Sequence, residues 1–251
     1  MGRVFAGQVV LLNMSEAGIL DRLLDALTCS RSLPDPLPAE PFGIFRTWFE
    51  EAVATRRDPN PNPNAMSLAT IGADGLPACR IVLCKSFDAD AGTITFFTNY
   101  KGRKGRDLAA NPRAAVCFHW DAAERQVRIE GPVTRASEQE SDAYFATRPW
   151  DSRIGAWASS QSEPLASRAD LIASARRVLK DLGISLAELA IKGNAVSIPR
   201  PPHWGGFVIK AARVELWLGG PGRFHDRAAW TREVSADCLT AGPWSATRLQ
   251  P

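Results

Sequence analysis

Three short stretches of this sequence concentrate cations, hydroxyls and an imidazole in patterns that could hold an anion. Arg80-Ile81-Val82-Leu83-Cys84-Lys85 is an apolar strand bracketed by two cations. The planar fork of Arg80 suits phosphate, and the Lys85 ammonium supplies a movable point charge. Alternation along a regular strand sends these two side chains to opposite faces, so either a bulge re-aims one or they reach different groups. Taken on its own, the block is more commonly a plain strand with solvated ends. Phe97-Thr98-Asn99-Tyr100-Lys101-Gly102-Arg103-Lys104 is a strand end running into a basic helix start, where free backbone N–H groups attract phosphate and Thr98, Arg103 and Lys104 reinforce the site. Cations at a helix N-terminus oppose the helix dipole, so they ask for a compensating anion. Arg223-Phe224-His225-Asp226-Arg227, just after Trp217-Leu218-Gly219-Gly220, reads as a short strand. Alternation then aligns Arg223, His225 and Arg227 as one row facing a ligand, although a lone histidine is commonly a satisfied structural residue.

The elements that must position these groups are legible in the spacing of apolar and turn residues. Ser67–Ile71, Ala78–Ser86, Thr93–Thr98, Ala114–Trp120 and Gln126–Thr134 are expected strands, rich in β-branched and aromatic residues and separated by turns such as Ala73-Asp74-Gly75. A basic helix, Lys101–Ala110, is inserted after the third and stopped by Asn111-Pro112. Small antiparallel sheets leave exposed edges that closure removes, so a barrel is expected. Helices are expected over Glu16–Leu27, Phe42–Thr55, Ser137–Thr147 with a Ser137/Glu140 capping box, and Ser167–Leu182 with Gly183 as C-cap. Strands resume at Gly206–Lys210, Val214–Leu218 and Trp244–Leu249. The class is α+β, mostly β: one domain over residues 41–251, preceded by a Pro-rich arm over 1–40.

Composition excludes several functions. A net charge of +3 on 251 residues, spread rather than blocked, argues against nucleic acid as a partner. No apolar run reaches the length that crosses a bilayer, and the run Val9–Leu12 is too short for a secretion signal. Gly2 suggests myristoylation, but Ala6 stands where that motif wants a hydroxyl residue. Five cysteines without a C-x-x-C pair form neither a disulfide framework nor a zinc pattern, which fits a reducing cytoplasm. Cys117 and His119 share a strand face, yet two ligands without companions read as packing, so no metal is expected.

Taken together, Arg80 to Lys85, Thr98-Asn99 with Arg103-Lys104, Glu124-Arg125-Gln126-Val127, Tyr144-Phe145 with Arg148-Pro149, Asp151-Ser152, Ile154-Gly155-Ala156-Trp157, Gln161-Ser162, Trp204-Gly205-Gly206-Phe207 and Arg223 to Arg227 resemble, in order, the signature blocks of the pyridoxamine 5'-phosphate oxidase family. The resemblance implies an FMN-binding split barrel, homodimeric, with FMN at the subunit interface. It implies that FMN is held by Arg80, Lys85, Thr98, Arg103, Lys104, Gln126, Gln161, Ser162, Trp217 and Arg227. It further implies that Lys85, Tyr144, Arg148 and Ser152 meet the phosphate of pyridoxamine or pyridoxine 5'-phosphate, with Arg223 and His225 at the reacting carbon as catalytic residues and dioxygen as the oxidant.

The sequence also departs from that family. Phe97 stands where Tyr is frequent and Gly102 where Ser is usual, so one hydroxyl for the flavin phosphate is missing. Asp181–Ser197 is longer than usual and is expected to add a short helix, Leu186–Ile191. The first 40 residues lack the family's arm motif, and Met14 is an alternative start. Two other readings remain: a related flavin oxidase of secondary metabolism of the phenazine type, and a non-catalytic protein that stores flavin or pyridoxal phosphate.

Overall fold

The computed structural model describes Gly18 and residues 31–55 and 62–251; the helix expected over Glu16–Leu27 lies outside these residues apart from Gly18. Ten antiparallel strands follow one another as β1 (Ala65–Ile71), β2 (Pro77–Leu83), β3 (Ser86–Asp88), β4 (Thr93–Asn99), β5 (Arg113–Trp120), β6 (Arg125–Arg135), β7 (Trp204–Lys210), β8 (Arg213–Leu218), β9 (Asp226–Thr231) and β10 (Ser245–Leu249). Their order is β10-β9-β8-β6-β5-β1-β2, and a branch β3-β4-β7 joins through β6. Helix α1 (Phe42–Ala54) precedes the strands, α2 (Arg103–Ala110) joins β4 to β5, and α3 (Glu138–Thr147), α4 (Trp150–Ala158), α5 (Arg168–Asp181) and α6 (Leu186–Lys192) lie between β6 and β7. The mostly-β barrel expected from the alternation is therefore the observed architecture, and it is split rather than fully closed. No helix among the described residues is long and apolar enough to cross a membrane.

The barrel splits where β6 changes partners. Its first part, Arg125–Glu130, pairs with β8, and its last residues, Val133–Arg135, pair with β7 along the same edge. β7 runs on into β8 along that edge in the same direction, with a one-residue shift in register against β6 at the junction, where Ala212 N–H donates to the Glu130 carbonyl. A Cβ on Gly131 would lie 1.9 Å from the Lys210 carbonyl oxygen, so only glycine admits the close backbone approach at that junction. Inward residues then pack a continuous core: Met66, Leu68, Ile94, Phe96, Phe118, Val127, Ile129, Ile209, Leu216 and Trp230 are essentially inaccessible. Helix α1 closes one mouth through Phe42, Phe45 and Trp48, and the Phe45 ring meets Phe87, Phe118 and Trp120.

A second apolar cluster, Phe145, Ile154, Ile184, Leu189, Val196, Ile198 and Trp204, fixes α3 and α4 against β7. The Ser137 and Glu140 capping box opens α3 as expected. Helix α4 has no counterpart in the periodicity of the sequence, because it begins immediately after Arg148-Pro149 and its burial comes from the segment that follows α5. The buried Arg153 guanidinium donates to the carbonyls of Asn194 (2.6 Å) and Val196 (3.0 Å), and Asn194 Oδ1 accepts from Trp150 N–H at the start of α4. The long Asp181–Ser197 segment forms α6 as expected and serves to anchor α4. The Pro-rich residues 33–38 lie on β9 and β10: Leu33 N–H donates to Asp226, and Trp230 Nε1 donates to the Pro38 carbonyl.

Three expectations about strands need correction. The strand expected over Ala78–Ser86 is two strands, because Cys84 N–H still bonds toward β1 at Asn64 O while Lys85 N–H bonds to Thr95 O of β4. The chain thus changes sheets between Cys84 and Lys85. Arg223 to Arg227 is not one strand: Pro221–Arg223 is a 3₁₀ turn, Gly222 and Arg223 have left-handed φ values of 59° and 66°, and β9 starts only at Asp226. The alternation that aligned Arg223 with His225 and Arg227 therefore does not apply. The last strand begins at Ser245, one residue after Trp244, whose ring instead packs on Phe42.

Gly131→Ala is expected to cost about 1–3 kcal/mol through overpacking where Gly131 meets the β7–β8 junction. Thermal unfolding measures it, and a melting temperature equal to that of the unaltered protein contradicts the close-approach constraint at Gly131.

Candidate active site

A cleft of about 540 Å³ lies between β2, the end of β4, α2 and the α3–α4 corner. Arg80, Lys85, Thr98, Lys104, Tyr144, Arg148, Ser152 and Gln161 all line it, so eight residues drawn from five separate sequence blocks converge on one space. The sheet change at Cys84 and Lys85 resolves the opposite-faces problem. A regular strand would have turned Lys85 away from Arg80, but the break restarts the alternation and both side chains enter the cleft.

One end of the cleft is built by α2 and the strand before it. Lys104 Nζ donates to Thr98 Oγ1 at 3.1 Å and to Gln161 Oε1 at 2.8 Å. Burial pushes the Lys104 pKa down, with the neighbouring Arg80 charge adding to that and Asp107 opposing it. Gln161 occupies the space left by the side chain that Gly102 lacks, since a Cβ there would lie 2.6 Å from Gln161 Oε1. The absent hydroxyl at position 102 is thus filled by a carboxamide from the loop after α4. Ser162, at a left-handed φ of 71°, accepts from Arg103 N–H at 3.1 Å. Arg103 lines a shallower depression with Gly72, Asp74 and Arg106, so it borders the cleft rather than lining it.

The other end is aromatic and cationic. Phe97 stacks on Tyr144 with centroids 4.1 Å apart and on Trp204 at 5.6 Å, making a flat wall of which sequence reading had placed only Tyr144 in the site. A trace of it was present in the sequence, since outward-facing aromatics on a strand beside an inward Phe96 need a partner. The Arg148 guanidinium lies 4.7 Å over the Trp204 ring, and Lys85 Nζ lies 5.8 Å from the Tyr144 centroid. Burial lowers the Arg148 pKa, against the opposing effect of Tyr144 and Asp151, and its Nη1 is buried with no hydrogen-bond partner. A desolvated guanidinium with an unpaired donor demands an acceptor, and Ser152 in the first turn of α4 adds a hydroxyl nearby.

The remaining candidates form a second group. Gln126, Trp217 and Arg227 are register partners across β6, β8 and β9, so they stand side by side on one sheet face. The His225 ring lies 4.6 Å from Trp217, and its Nδ1 accepts from Gly220 N–H. Arg227 is held by the buried Glu215, at 2.8 Å, which also pairs with Arg128 and Arg213. Arg223 is exposed on its turn. None of these five residues lines the cleft.

A split barrel with a two-ended cationic cleft and a separate polar patch across β6, β8 and β9 defines a protein suited to anionic ligands. Residues 50–180 match the family model described as pyridoxamine 5'-phosphate oxidase, and residues 204–251 match the pyridoxine 5'-phosphate oxidase C-terminal dimerisation region. Pyridoxine/pyridoxamine 5'-phosphate oxidase from Cupriavidus metallidurans is 48% identical over 229 residues, covering 91% of this chain and 95% of that protein. The protein of the same name from Pseudomonas paraeruginosa is 48% identical over 214 residues, covering 85% and 90%. Among solved structures, PhzG from Burkholderia lata 383 in complex with tetrahydrophenazine-1-carboxylic acid superposes with a TM-score of 0.73 at 29% identity, covering 88% of this chain and 98% of that one. The chain belongs to the pyridoxamine 5'-phosphate oxidase family.

Inorganic phosphate is expected to raise the melting temperature of the flavin-free protein at neutral pH. The sign follows from Lys104: its folded pKa lies below the ordinary 10.5, so at pH values between the two the folded protein has shed a proton that the unfolded chain keeps. Bound phosphate favours the charged lysine, so its stabilising effect is largest below the lowered pKa and shrinks as pH rises through it. Thermal shifts across a pH series measure this, and a phosphate effect that does not shrink would remove Lys104 from the anion site.

Proposed function

We propose that this protein is an FMN-dependent oxidase that converts pyridoxamine 5'-phosphate and pyridoxine 5'-phosphate to pyridoxal 5'-phosphate, reducing dioxygen to hydrogen peroxide, and that it acts as a homodimer. FMN is its cofactor. The single observation that carries the substrate assignment is the buried, unpartnered Arg148 Nη1 beside Lys85, Tyr144 and Ser152, at the opposite end of the cleft from Arg80, Lys104 and Gln161. Two separated anion ends in one cleft suit a flavin nucleotide and a phosphorylated substrate together. Named relatives at 48% identity support the same reading.

The donor set fits FMN on its own chemistry. Arg80, Lys104, Thr98 and Gln161 offer two cations, a hydroxyl and an amide where a phosphate would sit, with Arg103 and Ser162 at the rim. When bound, FMN supplies the two-electron acceptor for the substrate carbon and the route to dioxygen. The protein's part is placement. Lys85, Arg148, Tyr144 and Ser152 hold the substrate phosphate, and the Phe97–Tyr144–Trp204 wall keeps those side chains from collapsing and excludes water from one flank. Anchoring a remote phosphate converts binding energy into alignment of the reacting carbon.

The second patch completes the site from the partner subunit in this reading. Gln126, Trp217 and Arg227 contribute to the flavin, and Arg223 with His225 contact the substrate near its reacting carbon as the catalytic pair. Twofold symmetry then generates two equal sites, each with one subunit's cleft and the other's patch. A left-handed turn exposes Arg223 and leaves its guanidinium available. The ligand of PhzG favours a second reading, oxidation of a phenazine-type carboxylic acid. The four-donor end around Arg148 speaks for a phosphate dianion over a lone carboxylate.

In air, the flavin-loaded protein is expected to produce aldehyde and peroxide from both phosphorylated vitamers. Arg148→Ala should raise KM by at least about tenfold, the loss of a charge-assisted hydrogen bond, with a much smaller change in kcat. Arg223→Ala should instead lower kcat with flavin still bound. Mixing the two impaired variants in one dimer should, at substrate well below the raised KM, give more activity than either variant alone, because one of the two sites then has an intact cleft and an intact patch. Turnover of a dihydrophenazine acid without turnover of either vitamer would transfer the assignment to the second reading.

A further inference from the structure

Arg80 is gripped from behind by two buried residues, Thr70 at 1% and Asp107 at 6% exposure. Arg80 Nη1 donates to Thr70 Oγ1 at 2.5 Å and to the Leu68 carbonyl at 3.3 Å, and Arg80 Nη2 pairs with Asp107 Oδ2 at 3.4 Å. Thr70 Oγ1 in turn lies 2.7 Å from Asp107 Oδ2. The direction of every proton in this triangle is determined. A guanidinium can only donate, so the threonine oxygen accepts from Arg80 and its O–H must donate to the carboxylate.

The same count shows what is left over. The end-on edge of the guanidinium, made by Nη1 and Nη2, is spent on Thr70, Leu68 and Asp107. The side-on edge, Nε–H with the second Nη2–H, has no protein acceptor among the described residues, and Arg80 lines the cleft. That edge is the fork geometry that binds a phosphate through two parallel hydrogen bonds. Asp107 lies one turn after Lys104 on α2, so the helix that delivers one cation to the cleft also orients the other.

We propose that Asp107, acting through Thr70, is a positioning residue that presents the side-on fork of Arg80 to the phosphate of the flavin nucleotide. This rests on the FMN reading of the cleft. An ordinary helix-to-strand tie would make the same contacts and would serve any ligand alike. A positioning role is selective for the phosphate.

The test compares FMN with riboflavin, which has the same ring and no phosphate, by flavin fluorescence titration of the full-length protein stripped of flavin. Asp107→Asn keeps shape and removes charge, Thr70→Val removes the relay hydroxyl, and Thr70→Ser retains it. Asp107→Asn and Thr70→Val are each expected to weaken FMN binding by about tenfold or more, with riboflavin and the Thr70→Ser variant changed by no more than about twofold. The double variant should bind FMN about as weakly as the weaker single one, because both act through one guanidinium. Equal weakening of FMN and riboflavin, or unchanged FMN binding in both variants, overturns the proposal. If Asp107→Asn fails to fold, the Thr70→Val and Thr70→Ser pair decides. An unaltered protein that binds FMN no better than riboflavin refutes the reading of the cleft itself, and the role of Asp107 falls with it.

Discussion

Too little negative charge surrounds the cations of the cleft, and much of the structure follows from that imbalance. Among the described residues Arg80 has a carboxylate partner in Asp107, whereas Lys85, Lys104 and Arg148 have none. Desolvating such groups is costly, and burial lowers the pKa of both Lys104 and Arg148. A fold keeps that arrangement only if neighbouring elements prevent relaxation. Here the aromatic wall blocks one flank, the capping box and the Arg200 contacts to Glu138 and Asp142 fix α3, and the Arg153–Asn194 anchor fixes α4. An anion bound in the cleft would offset that cost.

The second constraint is topological. At Gly131 the sheet divides, and at Cys84–Lys85 the chain steps from one half to the other. These two irregularities create the opening that a closed barrel would lack, and the second re-aims Lys85 into it. The outer face of the other half carries Gln126, Trp217 and Arg227 as neighbours in register, within and beside the dimerisation region of residues 204–251. Cleft and patch belong to different surfaces of one chain, and none of the patch residues lines the cleft.

Much of this was legible in the residues. Strands with clean alternation such as Thr93–Thr98 and Ala114–Trp120 appear close to where the pattern puts them, as do capped helices such as α3, because one buried face imposes a period that burial alone can read. Helix α4 was not legible, since the groups that stabilise it, Asn194 and Val196, come from about forty residues downstream. The row expected at Arg223, His225 and Arg227 was misread for a related reason. A Gly-Arg pair in left-handed conformation breaks the alternation, and its φ values depend on the β8–β9 connection rather than on the side chains in the row.

Part of the chemistry of the site was therefore a property of the sequence: residue types alone asked for an anion near Thr98 to Lys104, and the order of the blocks indicated the family. Charge and hydrogen-bonding capacity are carried by each side chain wherever it lies. What the tertiary structure decided was direction and company. It turned Arg80 and Lys85 into one cleft, supplied Gln161 in place of a side chain at Gly102, added Phe97 and Trp204 as a wall, and set Asp107 behind Arg80. Each of these depends on contacts between distant segments, and no local period encodes where a chain will change sheets.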